Sequence, residues 1–173
     1  GCEIVGAKHF YRTKHIHIEK DDIMAGGEKI AALGEYQKPC FLALLFSSGM
    51  RKAGAAQMKV SYFTTEKQDA LGGLAYVTPK IRTKGHGAMG KQAPRYVFKE
   101  TFDKYFNLWL EQREKLGVTT DALFVIKDVT GKYQPAKSQN FTHWAAKIGE
   151  LIGVDSLYCH SLRHAFTDRK SVV

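Results

Sequence analysis

What the sequence has little of narrows it before any motif is read. Cysteine occurs three times, as Cys2, Cys40 and Cys159, an odd number standing far apart without CxxC spacing. That pattern offers neither a disulfide framework nor a cysteine metal cluster, and it suits a reducing cytoplasm. Long hydrophobic runs are missing too, since the longest, Phe41 to Phe46, is far short of the roughly 20 apolar residues that span a bilayer. No basic amphipathic helix or lipidation signal points to a membrane surface. No signal-peptide pattern opens the chain, and no internal repeat or low-complexity tract interrupts it. These absences predict a soluble, cytoplasmic protein without a membrane partner.

Acidic residues are the other shortage. Lys and Arg number 26 against 17 Asp and Glu, a formal net charge of +9, and the isoelectric point is near 9.4. Such a surplus favours a polyanionic partner. The 173 residues are most simply one domain, able to bury roughly 70% of the surface its unfolded chain exposes.

Hydrophobic periodicity divides the chain into helices around one β-like region. Residues 1–22 are irregular, a segment or linker in which His15-Ile16-His17-Ile18 alternates like a short strand. Pro39 suits the first turn of a helix with an apolar stripe of Phe41, Leu42, Leu45 and Phe46, closed by Ser47-Ser48-Gly49. Residues 74–78 and 95–98 read as the two strands of a hairpin, with the glycine-rich stretch 84–94 as its long connecting loop. Phe102, Tyr105, Phe106 and Trp109 recur at helical spacing up to Gly117, and Phe141, Trp144, Ala145, Ile148, Leu151 and Ile152 do so up to Gly153. Between them Leu123-Phe124-Val125-Ile126 is a short strand or extended segment. The expected fold is mainly α with a small antiparallel β-sheet.

Two motifs invite over-reading. Gly85-His86-Gly87-Ala88-Met89-Gly90-Lys91 satisfies GxGxxG and most of a P-loop, but Gln92 stands where the Mg²⁺-binding hydroxyl belongs. Both phosphate motifs also need a helix directly after the glycines, and a strand pattern follows instead. A hairpin loop is the better reading. His15 and His17 share a strand face, but no third or fourth ligand stands at recognisable spacing, so no metal site is expected.

The most informative stretch is Cys159-His160-Ser161-Leu162-Arg163-His164-Ala165-Phe166-Thr167. On a helix, His160, Arg163 and His164 fall on one side, with Leu162, Ala165 and Phe166 opposite. An arginine fork beside a titratable imidazole suits a phosphate or carboxylate, though taken alone it equally describes a solvated basic face. Joined to Arg51 after a buried helix and Lys84 on a hairpin, it acquires company. The sequence here resembles the catalytic domain of the tyrosine recombinases, the phage integrase family. Residues 41–51, ending Ser48-Gly49-Met50-Arg51, are similar to the helix and TGxR turn with the family's first arginine. Thr83-Lys84-Gly85 is similar to its hairpin lysine, and His160-Ser161-Leu162-Arg163-His164 matches its HxLRH box.

The resemblance implies residues 23–173 as a recombinase catalytic domain, incomplete at its C-terminal end, that cuts and rejoins DNA through a 3′-phosphotyrosine. It implies Arg51 and Arg163 on the nonbridging phosphate oxygens, Lys84 as the acid for the departing 5′-oxygen, and His160 managing the tyrosine proton with His164 in support. No cofactor or metal is implied. The implied partner is double-stranded DNA, with self-association from dimer to tetramer on it, in the nucleoid of a prokaryotic host or on a phage or other mobile element. Lys80, Arg82, Lys91 and Arg95, flanking the hairpin loop, are candidate phosphate contacts, with plain surface solubility as the competing explanation. Two departures stand out: Gly54 occupies the place of the family's usual acid after the first arginine, and no tyrosine follows His160. They predict a chain unable to cleave DNA by itself. They also keep open a recombinase-like DNA-binding module without chemistry; a type IB topoisomerase relative, which shares the catalytic scheme, is a third reading.

Overall fold

The computed structural model describes residues 20–83 and 90–153. Helices α1 (Lys20–Ala32) and α2 (Gln37–Ser48) lead into a one-turn α3 (Lys52–Ala55). Strands β1 (Asp69–Ala70), β2 (Ala75–Val77), β3 (Ile81–Thr83), β4 (Lys91–Ala93) and β5 (Tyr96–Phe98) follow, then α4 (Lys99–Leu116). A short hairpin of β6 (Val125–Lys127) and β7 (Tyr133–Pro135) precedes α5 (Ser138–Ile152). The fold is mainly helical with small antiparallel sheets, as the sequence predicts. The strand pattern at His15 to Ile18 and the HxLRH helix lie outside the described residues.

Helix α2 is the centre of the packing, and its sequence explains why. From Pro39 to Ser47 every residue is buried, so what reads as an apolar stripe is apolar all round, the mark of a helix enclosed on every side. Helices α1 and α4 and strand β5 pack against it. At its N-terminal half Phe41 stacks on Phe141 at 4.7 Å and meets the edges of Phe124 and Trp144 at 5.7 and 5.5 Å. Edge and offset geometries of this kind add to plain area burial by matching ring faces to ring edges. Cys40, fully enclosed here, has its thiol pushed well above the ordinary range by burial. It is a packing residue and a poor nucleophile.

Helices α4 and α5 fall where the 3.6-residue spacing puts them, ending at Gly117 and Gly153 as predicted. Buried Phe102, Tyr105, Phe106 and Trp109 form the inward face of α4, joined by Arg113. Arg113 is 7% exposed and donates to the carbonyls of Ala122 and Leu123 at 2.7 and 3.1 Å and to that of Thr120. Trp109 Nε1 donates to the Leu123 carbonyl at 2.8 Å. Those donors answer a segment whose carbonyls would otherwise be buried without partners, a lapse costing about 1–3 kcal/mol each. The same segment is tied to the exit of α3, where Leu123 N donates to Met58 O at 2.9 Å and Ser61 Oγ to Asp121 Oδ2 at 2.6 Å.

The hairpin is more regular than its composition suggests. β2 pairs with β5, with Tyr76 opposite Val97, and β1 adds a third strand on the other edge of β2. Between β2 and β5 the chain forms a second ladder, β3 with β4, in which Thr83 opposes Lys91. The reading of 84–94 as one continuous loop is corrected here. Lys91, Gln92 and Ala93 are strand residues because Ile81–Thr83 supply partners, which no local propensity reveals. The P-loop reading fails on the same ground: the chain enters β4 after Gly90, and the next helix starts only at Lys99.

Helix α1 went unseen in the sequence, and residues 20–22, read there as irregular, form its first turn. Its buried residues are Ile23, Gly26, Gly27 and Ile30. A Cβ on Gly26 would stand 2.6 Å from Ile152 Cγ2 of α5, so the glycine lets two backbones approach. Valine is the better helix former by a few tenths of a kcal/mol, but Gly26→Val is expected to destabilise the protein by about 2 kcal/mol through overpacking. Urea unfolding checks the sign; an unchanged or raised midpoint would show that α1 and α5 are not in tight contact.

Candidate functional site

The C-terminal end of α2 sets the geometry of the site. Gly49 takes the left-handed conformation at φ 71° and donates to Leu45 O at 2.8 Å, closing the helix. A residue with a Cβ would be strained there. Ser48 Oγ receives the Met50 N–H at 3.1 Å, and Met50 is buried. The turn is thus pinned on both sides before the chain reaches Arg51. Arg51 stands as N-cap of α3 with an extended backbone, its carbonyl accepting from Gly54 N and Ala55 N at 2.9 and 3.0 Å. Its side chain is exposed.

A cleft of about 50 Å³ opens beside it, lined by Met50, Arg51, Ala53, Gly54, Ile81, Arg82, Thr83 and Arg95. Three arginines are therefore among the residues lining one depression, and no carboxylate stands among them. Gly54 is buried in the wall, and a Cβ there would meet Ile81 Cδ1 and Met50 Cβ at an ordinary 3.5 Å. The site has room for a first carbon at position 54, but the chain places no acid there to neutralise Arg51.

Arg95 is the most constrained of the three. Its Nη2 donates to the Ser48 carbonyl at 3.1 Å. Its own N–H donates to Thr78 Oγ1 at 2.9 Å, and its carbonyl accepts from Thr78 N at 2.9 Å. Burial, and then the neighbouring Arg51 guanidinium, lower its ionisation from the ordinary arginine value. Since a guanidinium stays protonated in proteins, the cleft holds its charge at neutral pH and receives an anion readily.

Arg82 reaches the cleft on β3, whose backbone is fastened by a residue the sequence reading passed over. Gln57 Oε1 accepts from Arg82 N at 3.0 Å, and Gln57 Nε2 donates to Arg82 O at 2.9 Å and to Ala53 O at 3.0 Å. One side-chain amide thus completes the outer edge of β3 as a further strand would. No local pattern flags it, for a glutamine among small residues announces nothing until its partner strand is in place.

Of the sequence-predicted phosphate contacts, Arg82 and Arg95 line the cleft with Arg51, whereas Lys80 and Lys91 are exposed on the hairpin outside its lining. Lys84, His160, Arg163 and His164 lie outside the described residues. Among the described tyrosines, Tyr76 donates to Asp103 Oδ1 at 2.6 Å, and burial foremost pushes the phenol pKa of both Tyr76 and Tyr105 up, disfavouring ionisation. That is the opposite of what an attacking phenolate requires. Among the described residues no His, Cys, Asp or Glu cluster could hold a metal, and no helix is long and apolar enough to cross a membrane.

Known proteins supply the comparison. The XerH site-specific recombinase bound to its difH substrate in a pre-cleavage complex superposes with a TM-score of 0.63 at 19% identity, covering 90% of this chain and 43% of that one. The XerA recombinase superposes at 0.60 with 15% identity, over 88% of this chain and 48% of that one. A post-cleavage complex of XerH on palindromic difH gives 0.57 at 20% identity, over 87% and 40%. The chain thus spans less than half the length of these structures. No curated protein sequence matches it at a significant level. The shared fold is that of a tyrosine recombinase catalytic domain, and the phage integrase family model matches residues 19–169; the chain belongs to the phage integrase family, the tyrosine recombinases.

Proposed function

We propose that this chain forms the catalytic-domain part of a DNA recombinase that breaks and rejoins duplex DNA through a 3′-phosphotyrosine. The observation that carries the proposal is the cleft lined by Arg51, Arg82 and Arg95 without a carboxylate, at the turn where the family's first arginine is expected. XerH, which has the same fold, is described as bound to a difH substrate before and after cleavage.

In the proposed reaction a tyrosine hydroxyl attacks the scissile phosphorus, the tyrosyl O–P bond forms and the P–O5′ bond breaks. Arg51 and Arg163 hold the nonbridging oxygens, on which charge accumulates in the transition state, and a planar fork of N–H donors fits them where an ammonium would not. His160 takes the tyrosine proton, His164 supports that imidazole, and Lys84 gives a proton to the departing 5′-oxygen. Each such proton transfer typically contributes about 10² to 10⁴ in rate. Attack by a 5′-hydroxyl then reverses the chemistry on a new partner strand, the bond energy having been kept in the phosphotyrosine, so no nucleotide or metal is required. No tyrosine follows His160 in the sequence given, and the role of nucleophile is assigned to none of its residues. Arg95 and Arg82 add charge next to Arg51, with Lys80 and Lys91 on neighbouring phosphates.

Binding to duplex DNA should weaken steeply with salt, log K falling by about 0.9 per phosphate neutralised for each unit of log[salt]. Fluorescence anisotropy across a potassium chloride series checks this, and a flat line removes DNA as the partner. With the sequence carried past Val173, a nicked suicide duplex should trap a covalent protein–DNA adduct. Arg163→Lys should slow adduct formation by about 100-fold or more while leaving DNA affinity within about threefold. Equal losses in both would make Arg163 a plain phosphate contact, and tight binding without any adduct on cognate sites would favour the binding module.

A further inference from the structure

We infer that Gln57 is a positioning residue for the DNA contact made by Arg82, an inference that rests on the reading of this chain as a DNA-binding recombinase domain. Arg82 sits at the centre of β3, with Gln92 of β4 opposite it. In an antiparallel ladder alternate residues turn both backbone groups toward the partner strand and the others turn both away. Arg82 is of the second kind, since its N–H and carbonyl are both engaged by the Gln57 amide, at 3.0 and 2.9 Å.

The amide is itself anchored, because Nε2 also donates to Ala53 O at 3.0 Å in α3. Ala53 lies two residues after Arg51, whose carbonyl α3 uses for its first hydrogen bonds. A continuous path of hydrogen bonds and helical backbone therefore runs from Arg51 through α3 and Gln57 to Arg82, and both ends of it line the cleft. Its effect is to fix the height of β3 over the cleft. β3 is a three-residue strand paired on one side only by the equally short β4, so without the clamp it has little else to hold its free edge. Gln57 does not reach the cleft lining, and its influence on DNA passes through the Arg82 backbone.

A double-mutant cycle on DNA affinity separates this role from a general contribution to folding, because Arg82→Ala leaves the Arg82 backbone and its clamp intact. The chain, Gln57→Ala, Arg82→Ala and the double variant are titrated with one fluorescent duplex at several salt concentrations. Arg82→Ala should weaken binding by about tenfold and flatten the salt dependence by about one phosphate. Gln57→Ala should weaken it by about threefold or more with a similar flattening, and in the Arg82→Ala background it should cost less than about twofold, which is the coupling expected of residues acting through one contact. Gln57→Met, nearly isosteric and without the amide, should repeat the result should the alanine variant fold poorly; unfolding midpoints identify that case. Additive losses, or an unchanged affinity in both Gln57 variants, overturn the inference, as does an Arg82→Ala chain that binds normally. A parent chain with no salt-sensitive DNA affinity instead overturns the reading beneath it.

Discussion

The enclosure of α2 is the constraint on which the rest of the molecule depends. A helix buried from Pro39 to Ser47 has no face on which to slide or rotate, and its ends are fixed with it. At one end Tyr36 N donates to Gln112 Oε1 at 2.9 Å, and Gln112 Nε2 donates to Gly34 O, fixing α2 against α4. At the other end stand Ser48 and Gly49, and from them the chain turns directly to Arg51. Placing an arginine just beyond a fully enclosed helix is how a flexible side chain acquires a rigid base.

That base is shared. Arg95 stands just before β5, more than 40 residues later, yet it is tied to the same helix terminus through the Ser48 carbonyl. Arg82 comes from β3, tied to α3 through Gln57. Three cationic groups from three elements thus refer to one local frame, which lets a site assembled from distant sequence keep its geometry. Burial first, and then repulsion from Arg51, lowers the ionisation of Arg95, and an anion relieves the repulsion.

Much of this was legible from the sequence, for identifiable reasons. Helices α4 and α5 carry large apolar residues at helical spacing and a glycine at each end, signals that survive without tertiary context. The place of Arg51, just past a buried helix, was legible because Ser47-Ser48-Gly49 marks that helix's end. Helix α1 was not, because two of its four buried residues are glycines, whose contribution is close approach instead of hydropathy. β4 was hidden because Lys91-Gln92-Ala93 has no strand preference of its own and exists through pairing. That Arg82 and Arg95 line the cleft while Lys80 and Lys91 do not depends on how the hairpin packs beside α3, which composition does not encode.

The tether between Arg95 and Ser48 also bears on how this site can change over time. Its acceptor is a main-chain carbonyl, present whatever side chain position 48 carries, so substitution there removes the hydroxyl but never the oxygen that holds the guanidinium. A carboxylate in that role would be open to loss by a single codon change, and it would cancel the charge it positioned. A peptide oxygen does neither. The orientation of Arg95 is inherited with the course of the backbone, which leaves neighbouring side chains free to diverge while one cation of the cleft stays in place.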